Sequence, residues 1–235
     1  MHTLLFSLSF TMCTALRSCV PIMRDTHLPC DSPRIIHGQT LRTWTYQTST
    51  IDQVKVVVKT EGRPFDADIE LWSGPYNTPA KIRVYSENGK EYGFKTIIQT
   101  PHDPNTIAIR NIGAPEFPFS ASVSAKEINL PSEKCFSQKC QHQIQGGAIR
   151  TYAFEPQVVR AEIMLKTIGQ PLNARIELIQ GPNTNKQTIE LYSEDGFERP
   201  FFCYLQTPNA GSVLRIVNTA PVEFPLIVGC AYYKE

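Results

Sequence analysis

The stretch that decides the fold occurs twice: residues 59–75 read KTEGRPFDADIELWSGP, and residues 166–182 read KTIGQPLNARIELIQGP. The match runs without a gap from 59–118 onto 166–225, and 25 of these 60 positions are identical. A period this long that occurs only twice indicates a duplicated domain and not a solenoid of short repeats.

The repeat also sets the domain boundaries. Upstream of the main match, Ile36 corresponds to Ile144 and Leu41 to Ile149, so each unit begins near these isoleucines. We therefore expect four segments: a leader or disordered N-terminus at 1–34, a first β domain at 35–125, a linker at 126–143, and a second β domain at 144–235 that repeats the first.

Within a unit the hydrophobic period is two, which is typical of strands buried on one face. Val54, Val56 and Val58 alternate with Lys55, for example. The pattern predicts seven strands per unit, near residues 41–47, 54–60, 67–73, 81–87, 93–100, 105–112 and 117–125, and again about 107 residues later. We expect an all-β fold of two tandem, pseudo-symmetric, antiparallel β-sandwich-like domains, with an open barrel as the alternative.

Two glycine dipeptides recur at matching places in the units. Asn88-Gly89 and Asp195-Gly196 are typical of two-residue hairpins, because both residues tolerate positive φ. Gly74-Pro75, like its counterpart at 181–182, is expected to end the preceding strand, since proline has no N–H for a ladder.

Several large side chains are predicted to face outward. If Ile69 and Leu71 point to the core, then Trp72, the residue after Leu71, must point away from it. The segment 201–205 (FFCYL) is apolar on both faces and needs cover on both, from the sister unit, a second copy or a ligand. The candidate interface residues are Trp72, Tyr85, Ile179, Tyr192, Phe202 and Tyr204.

Composition excludes several classes of protein. The 235 residues hold 23 Lys and Arg against 22 Asp and Glu, a net charge of +1, which gives no electrostatic footprint for nucleic acid and no polybasic membrane anchor. Apolar stretches are far shorter than the roughly 20 residues of a membrane-spanning helix. The first residues lack acidic side chains before Asp25 and are interpreted as an organelle or secretory leader or as an untidy terminus.

The sequence offers no recognisable catalytic centre. It lacks the HExxH and GxSxG motifs, a Walker loop and GxGxxG. The best metal candidate, Cys135, Cys140 and His142, supplies at most three ligands. None of the seven cysteines repeats between the units, which favours a reducing compartment. We therefore expect no enzyme activity, no cofactor and no bound metal.

The phrases IELWSGPYNTPAKIRVYSENG (69–89), IELIQGPNTNKQTIELYSEDG (176–196) and NTIAIRNIGAPEFP (105–118) resemble the pyrenoid shell proteins of diatoms and related algae. The resemblance covers both units and implies a structural protein of two related β domains. Such proteins assemble into a sheet around the Rubisco matrix of the plastid pyrenoid and support carbon fixation by limiting loss of concentrated CO2.

The resemblance therefore implies a location in the plastid stroma at the pyrenoid periphery. The implied partners are further copies of the chain, paralogous shell proteins and components of the Rubisco matrix, with neither nucleic acid nor membrane among them. The alternative from another class is a tandem β-sandwich that binds carbohydrate or another polymer, in which Tyr85 and Tyr192 would stack on sugars.

Overall fold

Two eight-stranded antiparallel sheets pack face to face in a computed structural model of the chain. The structure describes residues 32–46, 51–101, 104–125, 133–137, 141–181, 184–208 and 211–234. Most of the expected leader, residues 1–31, lies outside the described residues. The all-β class and the two-sheet sandwich expected from the period-two pattern are confirmed.

Each repeat contributes eight strands. Those of the first are β1 (Arg34–Ile36), β2 (Leu41–Tyr46), β3 (Gln53–Lys59), β4 (Phe65–Ser73), β5 (Asn77–Ser86), β6 (Phe94–Gln99), β7 (Asn105–Asn111) and β8 (Phe119–Ser124). One helical turn, α1 (Glu133–Phe136), follows. The second repeat supplies β9 (Gln141–Ile144), β10 (Ile149–Ala153), β11 (Val158–Lys166), β12 (Leu172–Gln180), β13 (Thr184–Ser193), β14 (Phe201–Gln206), β15 (Ser212–Asn218) and β16 (Leu226–Lys234).

Both sheets run through both repeats. Sheet A has the order β1-β8-β3-β6-β14-β11-β16-β9, and sheet B has the order β10-β15-β12-β13-β5-β4-β7-β2. Four strands of each sheet come from each repeat, so the repeats join into one long sandwich with a single main core that runs from Ile36 to Val228. The joints are the antiparallel pairs β6 with β14 and β5 with β13.

Strands β1 and β9 are the two that the hydrophobic pattern misses. They are only three and four residues long, which is too short for an alternation to be read. Strand β9 also takes residues 141–143 of the expected linker into sheet A, where they pair with β16.

The predicted hairpin at Asn88-Gly89 is wrong. Strand β5 lies in sheet B and β6 in sheet A, so the loop between them crosses from one sheet to the other. Gly89 is required because the side chains of Thr60 and Phe65 approach its Cα closely, and not because its φ is positive. An added Cβ would lie 2.5 Å from Thr60 Oγ1 and 2.7 Å from Phe65 Cδ1. Gly196 is likewise crowded, against Thr167 and Leu172.

The true hairpins of each repeat lie at the Gly-Pro dipeptides. Gly74 directly follows β4 and has a φ of 69°. Gly181 directly follows β12 and has a φ of 60°. Glycine takes this conformation without steric cost, so the expectation that these dipeptides end a strand is confirmed.

A buried asparagine in each repeat bonds to the backbone of the recurring EFP motif. Asn111 donates from Nδ2 to the carbonyls of Ile36 (3.0 Å) and Phe117 (2.8 Å), and its Oδ1 accepts from the Gly113 amide (3.0 Å). Asn218 makes the same three bonds, to Ile144, Phe224 and Ala220. Each asparagine thus fastens the edge strand of sheet A to the turn that precedes the last strand of its repeat.

The linker helix α1 covers part of sheet A from outside. Cys135 is fully buried in a small second cluster with Met164, Phe202, Tyr204 and others. Among the described residues, no helix is long and apolar enough to cross a membrane.

Candidate assembly surfaces

A pseudo-two-fold axis relates the repeats, and it passes through both joints. In sheet B, Arg83 lies opposite Glu190, its own equivalent in the repeat. In sheet A, Thr96 lies opposite its equivalent Cys203, and Thr96 Oγ1 donates to the Phe202 carbonyl at 2.6 Å. The molecule therefore has two ends of similar construction.

Backbone bonds that flank the sheet B joint obey the same symmetry. The Glu87 amide donates to the Lys186 carbonyl at 3.0 Å, and the Glu194 amide donates to the Pro79 carbonyl at 2.8 Å. The two donors are equivalent positions of the repeat, and so are the two acceptors. The joint is therefore bonded in the same way on both sides of the axis.

The outer face of sheet B carries two of the predicted interface rings. Tyr85 is 41% exposed and Tyr192 is 37% exposed. Tyr85 lies opposite Thr188, four residues before Tyr192 on β13, so the two positions are about 13 Å apart along the strand. Both rings thus belong to one continuous face that spans the axis.

Ion pairs cover the remainder of that face. Arg83 pairs with Asp66 at 3.1 Å, Lys81 pairs with Glu70 at 3.5 Å, and buried Glu177 pairs with Arg175 at 3.1 Å and with Arg215. A shallow groove of about 460 Å³ runs between these pairs. Burial raises the pKa of the Asp68 carboxyl, against the opposing effect of Arg83.

The other predicted sheet B residues are less available. Trp72 is half-buried, and its Nε1 donates to Glu70 Oε2 at 2.8 Å. Ile179, its equivalent in the second repeat, is only 9% exposed. A second chain that contacts this face therefore meets the tyrosines more readily than Trp72 or Ile179.

Phe202 and Tyr204, which the sequence offers as interface residues, lie on the outer side of sheet A, and the chain covers both rings itself. They are 4% and 7% exposed, and the ring of Phe136 in α1 packs 5.9 Å from that of Phe202. The cover that segment 201–205 requires on its outer side is thus the linker, an occupant that the sequence interpretation did not consider. Burial raises the pKa of Tyr204 to about 12.

Among the described residues, the edge strands of the two sheets form a further surface available to a neighbour. Strands β1 and β2 of the first repeat end sheets A and B, and β9 and β10 of the second repeat end them on the other side. An edge strand presents unpaired N–H and C=O groups that can pair with another chain. The pseudo-symmetry places such a pair of edges at each end of the sandwich.

Exposed isoleucines lie on these edges. Ile35 of β1 is 61% exposed and Ile149 of β10 is 60% exposed, while Leu41 of β2, the equivalent of Ile149, is 37% exposed. The sequence interpretation missed them as contact residues. For Leu41 and Ile149, the signal that could have found them is an apolar side chain repeated at the start of the second strand of each repeat. Ile35 carries no such signal, because its equivalent is Gln143.

The predicted metal candidate does not assemble among the described residues. Cys140 lies outside them, Cys135 is buried with its Sγ donating to the Glu162 carbonyl at 3.5 Å, and the His142 ring packs 6.3 Å from that of Tyr152. Within the described ranges, no three His, Cys, Asp or Glu side chains are grouped as metal ligands.

Together these features define an antiparallel β-sandwich with similar ends, in which the described residues leave the edge strands of both sheets unpaired on one side. The chain belongs to the diatom pyrenoid shell protein family, whose model matches residues 26–231. This is a family of structural shell proteins and not of enzymes, and its name implies the pyrenoid, hence the plastid, as the compartment.

Two solved structures that the chain matches share little sequence with it. The PBSX exported protein XepA is 12% identical, with 85% of each chain covered and a TM-score of 0.30. Vicilin from Corylus avellana (hazelnut) is 8% identical, with 86% of this chain and 76% of that chain covered and a TM-score of 0.20. No curated protein matches the chain. Likenesses at these TM-scores indicate nothing about function.

Proposed function

We propose that this chain is a non-enzymatic, self-assembling subunit of the shell around the Rubisco matrix of the pyrenoid, at its periphery in the plastid stroma. Copies of the chain, together with paralogous shell proteins, form a continuous protein layer. The layer supports carbon fixation by limiting the escape of concentrated CO2. The family membership supports the shell role, and the geometry of the chain supports the manner of assembly.

The observation that carries the proposal is the pair of open edges at each end of one rigid sandwich. If the β1 and β2 end of one copy pairs with the β9 and β10 end of the next, both sheets continue across the contact. Because the contact joins two different ends, each added copy offers a new end to the next, and such head-to-tail contacts generate extended assemblies when the rotation between copies does not close a ring.

The two broad faces allow the layer to grow sideways. Tyr85 and Tyr192 are aromatic rings with a polar tip, which is the type of side chain enriched at protein interfaces. In the proposal they contact neighbouring rows, while the ion pairs of sheet B keep the face soluble before assembly.

Negative-stain electron microscopy of the purified chain across a concentration series tests the proposal. We expect sheets or tubes above a threshold concentration, in the same solution in which circular dichroism reports a β-rich fold. Dispersed monomers at every concentration and salt condition would refute self-assembly by this chain alone. A mixture with a paralogous shell protein then distinguishes co-assembly from no assembly.

The groove on sheet B supports one competing function, the binding of a polysaccharide. Tyr192 lines this groove beside Asn173 and Glu190, a combination of ring, amide and carboxylate that suits sugar hydroxyls. A glycan array decides between the functions, because binding of a glycan without self-association would favour the polymer-binding module.

A further inference from the structure

The outer face of sheet A differs between the two repeats, although the fold beneath it is the same. In the second repeat α1 lies on this face, and Gly229 makes room for it: an added Cβ there would lie 2.2 Å from the Cys135 carbonyl oxygen. The equivalent of Gly229 in the first repeat is Ser122. The same part of the fold therefore accepts a short chain segment in one repeat and is lined differently in the other.

Two positions that line the face are basic in the first repeat and not in the second. Met164 and Phe202, which pack with α1, correspond to Val57 and Lys95. Glu162, whose carbonyl accepts from the Cys135 thiol, corresponds to Lys55. These first-repeat residues line one part of a groove of about 340 Å³, which we call the basic groove. The groove continues across the joint onto the second repeat, and it is lined by Lys55, Val57, Lys59, Lys95, Arg160 and Tyr204.

The cations of the basic groove act on one another. Burial lowers the pKa of Lys95, and the neighbouring charges of Lys55 and Arg160 lower it further. Lys95 Nζ lies 4.3 Å from the centroid of the Tyr204 ring, which holds the ammonium at the groove wall. An anion in the groove would relieve this repulsion.

One carboxylate that acts on Lys95, that of Glu162, is already engaged by other groups. Glu162 is 4% exposed, pairs with Arg160 at 3.3 Å and accepts from Tyr233 Oη at 3.0 Å. The groove thus combines a floor with apolar side chains, such as Val57, and walls with an excess of positive charge.

We propose that the basic groove binds an acidic peptide segment of a partner protein, on a surface that includes Val57 and Lys95, the equivalents of residues that pack with α1 in the second repeat. A peptide is favoured because the pseudo-equivalent face already binds a segment of chain, and an acidic one because of the lysines and Arg160. A second copy is a poor source of such a segment, because carboxylates on its sheet B face, including Asp66 and Glu177, are held by their own arginines.

The proposal gives each edge-to-edge row of chains two unlike faces. Edge-to-edge assembly leaves the outer face of sheet A on one side of the row and that of sheet B on the other. The groove belongs to the single chain, so its binding of a peptide is testable whether or not the chain assembles.

Fluorescence anisotropy of the full chain, at a concentration below any assembly threshold, tests the proposal with three labelled peptides. One alternates Glu and Gly, one replaces each Glu by Gln, and one replaces each Glu by Lys. We expect binding of the Glu peptide only, and we expect it to weaken strongly as NaCl rises from about 50 to about 300 mM, because salt screens the attraction.

Variants then locate the site. Lys55→Gln with Lys95→Gln is expected to weaken binding of the Glu peptide at least roughly fivefold, and Lys55→Arg with Lys95→Arg to retain it, because the charge is kept. The matched control is Lys81→Gln with Lys166→Gln, which removes the same charge from sheet B and from the second repeat and should leave binding unchanged. Thermal melts check that each variant folds.

Four outcomes would overturn the proposal. One is equal binding of the Gln peptide, and another is equal loss in the control variant, which would indicate attraction by net charge alone. The third is lysine-dependent binding of phosphatidylglycerol vesicles without binding of the Glu peptide, which would assign the groove to a lipid surface. The last is that the unsubstituted chain does not bind the Glu peptide, while the variant Lys55→Gln with Lys95→Gln loses assembly. That result would show that the basic groove contacts a second copy of the chain.

Discussion

Arg83 of β5 lies directly opposite Glu190 of β13, and the two are the same position of the two repeats. Immediately after a duplication both positions carry the same side chain, so the pair begins as two like charges or two neutral groups. Later substitution has produced the present pair of opposite charges. Like charges opposite one another would destabilise an antiparallel pair, and here that pair is the joint of the molecule.

Reversing the charge at this joint is expected to weaken the fold modestly. Arg83→Glu faces Glu190, and it also loses the ion pair with Asp66. Because Arg83 is more than half exposed, we expect a loss of about 1 kcal/mol in the free energy of unfolding, measured by urea denaturation. The double variant Arg83→Glu with Glu190→Arg should recover part of it, and no recovery would show that the loss comes from Asp66 alone.

Charges placed on the strand edges are expected to block assembly without unfolding the chain. Ile35→Lys and Ile149→Lys put a lysine at 61% and 60% exposed positions of β1 and β10, and edge lysines oppose pairing with another strand. Sedimentation should show the threshold concentration raised several-fold, with an unchanged melting temperature. Ile168→Lys, at a 72% exposed loop position, is the matched control and should assemble normally.

The buried asparagines are expected to be important for stability. Asn111→Ala removes three hydrogen bonds and leaves the carbonyls of Ile36 and Phe117 without this donor, so we expect a loss of about 2–4 kcal/mol in the free energy of unfolding. Hydrogen exchange should increase first in β1. Asn173→Ala, at a half-buried position of β12, is the control, and an equal effect there would contradict the role of Asn111.

Filling the space at Gly229 is expected to displace α1. In Gly229→Ala the new methyl group meets the Cys135 carbonyl, so the helix must move off sheet A. The fully buried Cys135 should then react with a thiol reagent much faster, as measured by mass spectrometry of the peptide that contains it. Ser122→Ala, the equivalent position of the first repeat, should leave the rate unchanged; unchanged labelling in both variants would show that α1 tolerates the methyl group.

Asp68 is expected to oppose folding at neutral pH. Its pKa is raised in the folded chain, chiefly by burial, so its contribution to stability is favourable below the unfolded value of 3.8 and declines as the pH rises through the folded value. Asp68→Asn should therefore raise the melting temperature at pH 7, by roughly 1–2 °C, and have no such effect near pH 3. Asp66→Asn, which breaks the pair with Arg83, should give no stabilisation at pH 7.

Much of the fold is predictable because strand patterning and duplication are local properties. The valines of β3 and the Gly74-Pro75 turn identify strands and their ends without reference to the partner strand. The hairpin predicted at Asn88-Gly89 is wrong because a glycine can be required either for a positive φ or for the close approach of another group. The sequence does not distinguish these two requirements. Here the loop crosses between the sheets and brings Gly89 close to Thr60 and Phe65, so the glycine is required for close approach.

The sequence by itself determined that the chain is a duplicated all-β protein, because alternation and repetition are encoded residue by residue, and its long repeated phrases identified the family. Only the tertiary structure decided that the repeats share both sheets and that α1, and not a neighbour, covers Phe202. An apolar face requires cover whatever the source, and the choice of partner depends on which distant strands and segments the folded chain brings together.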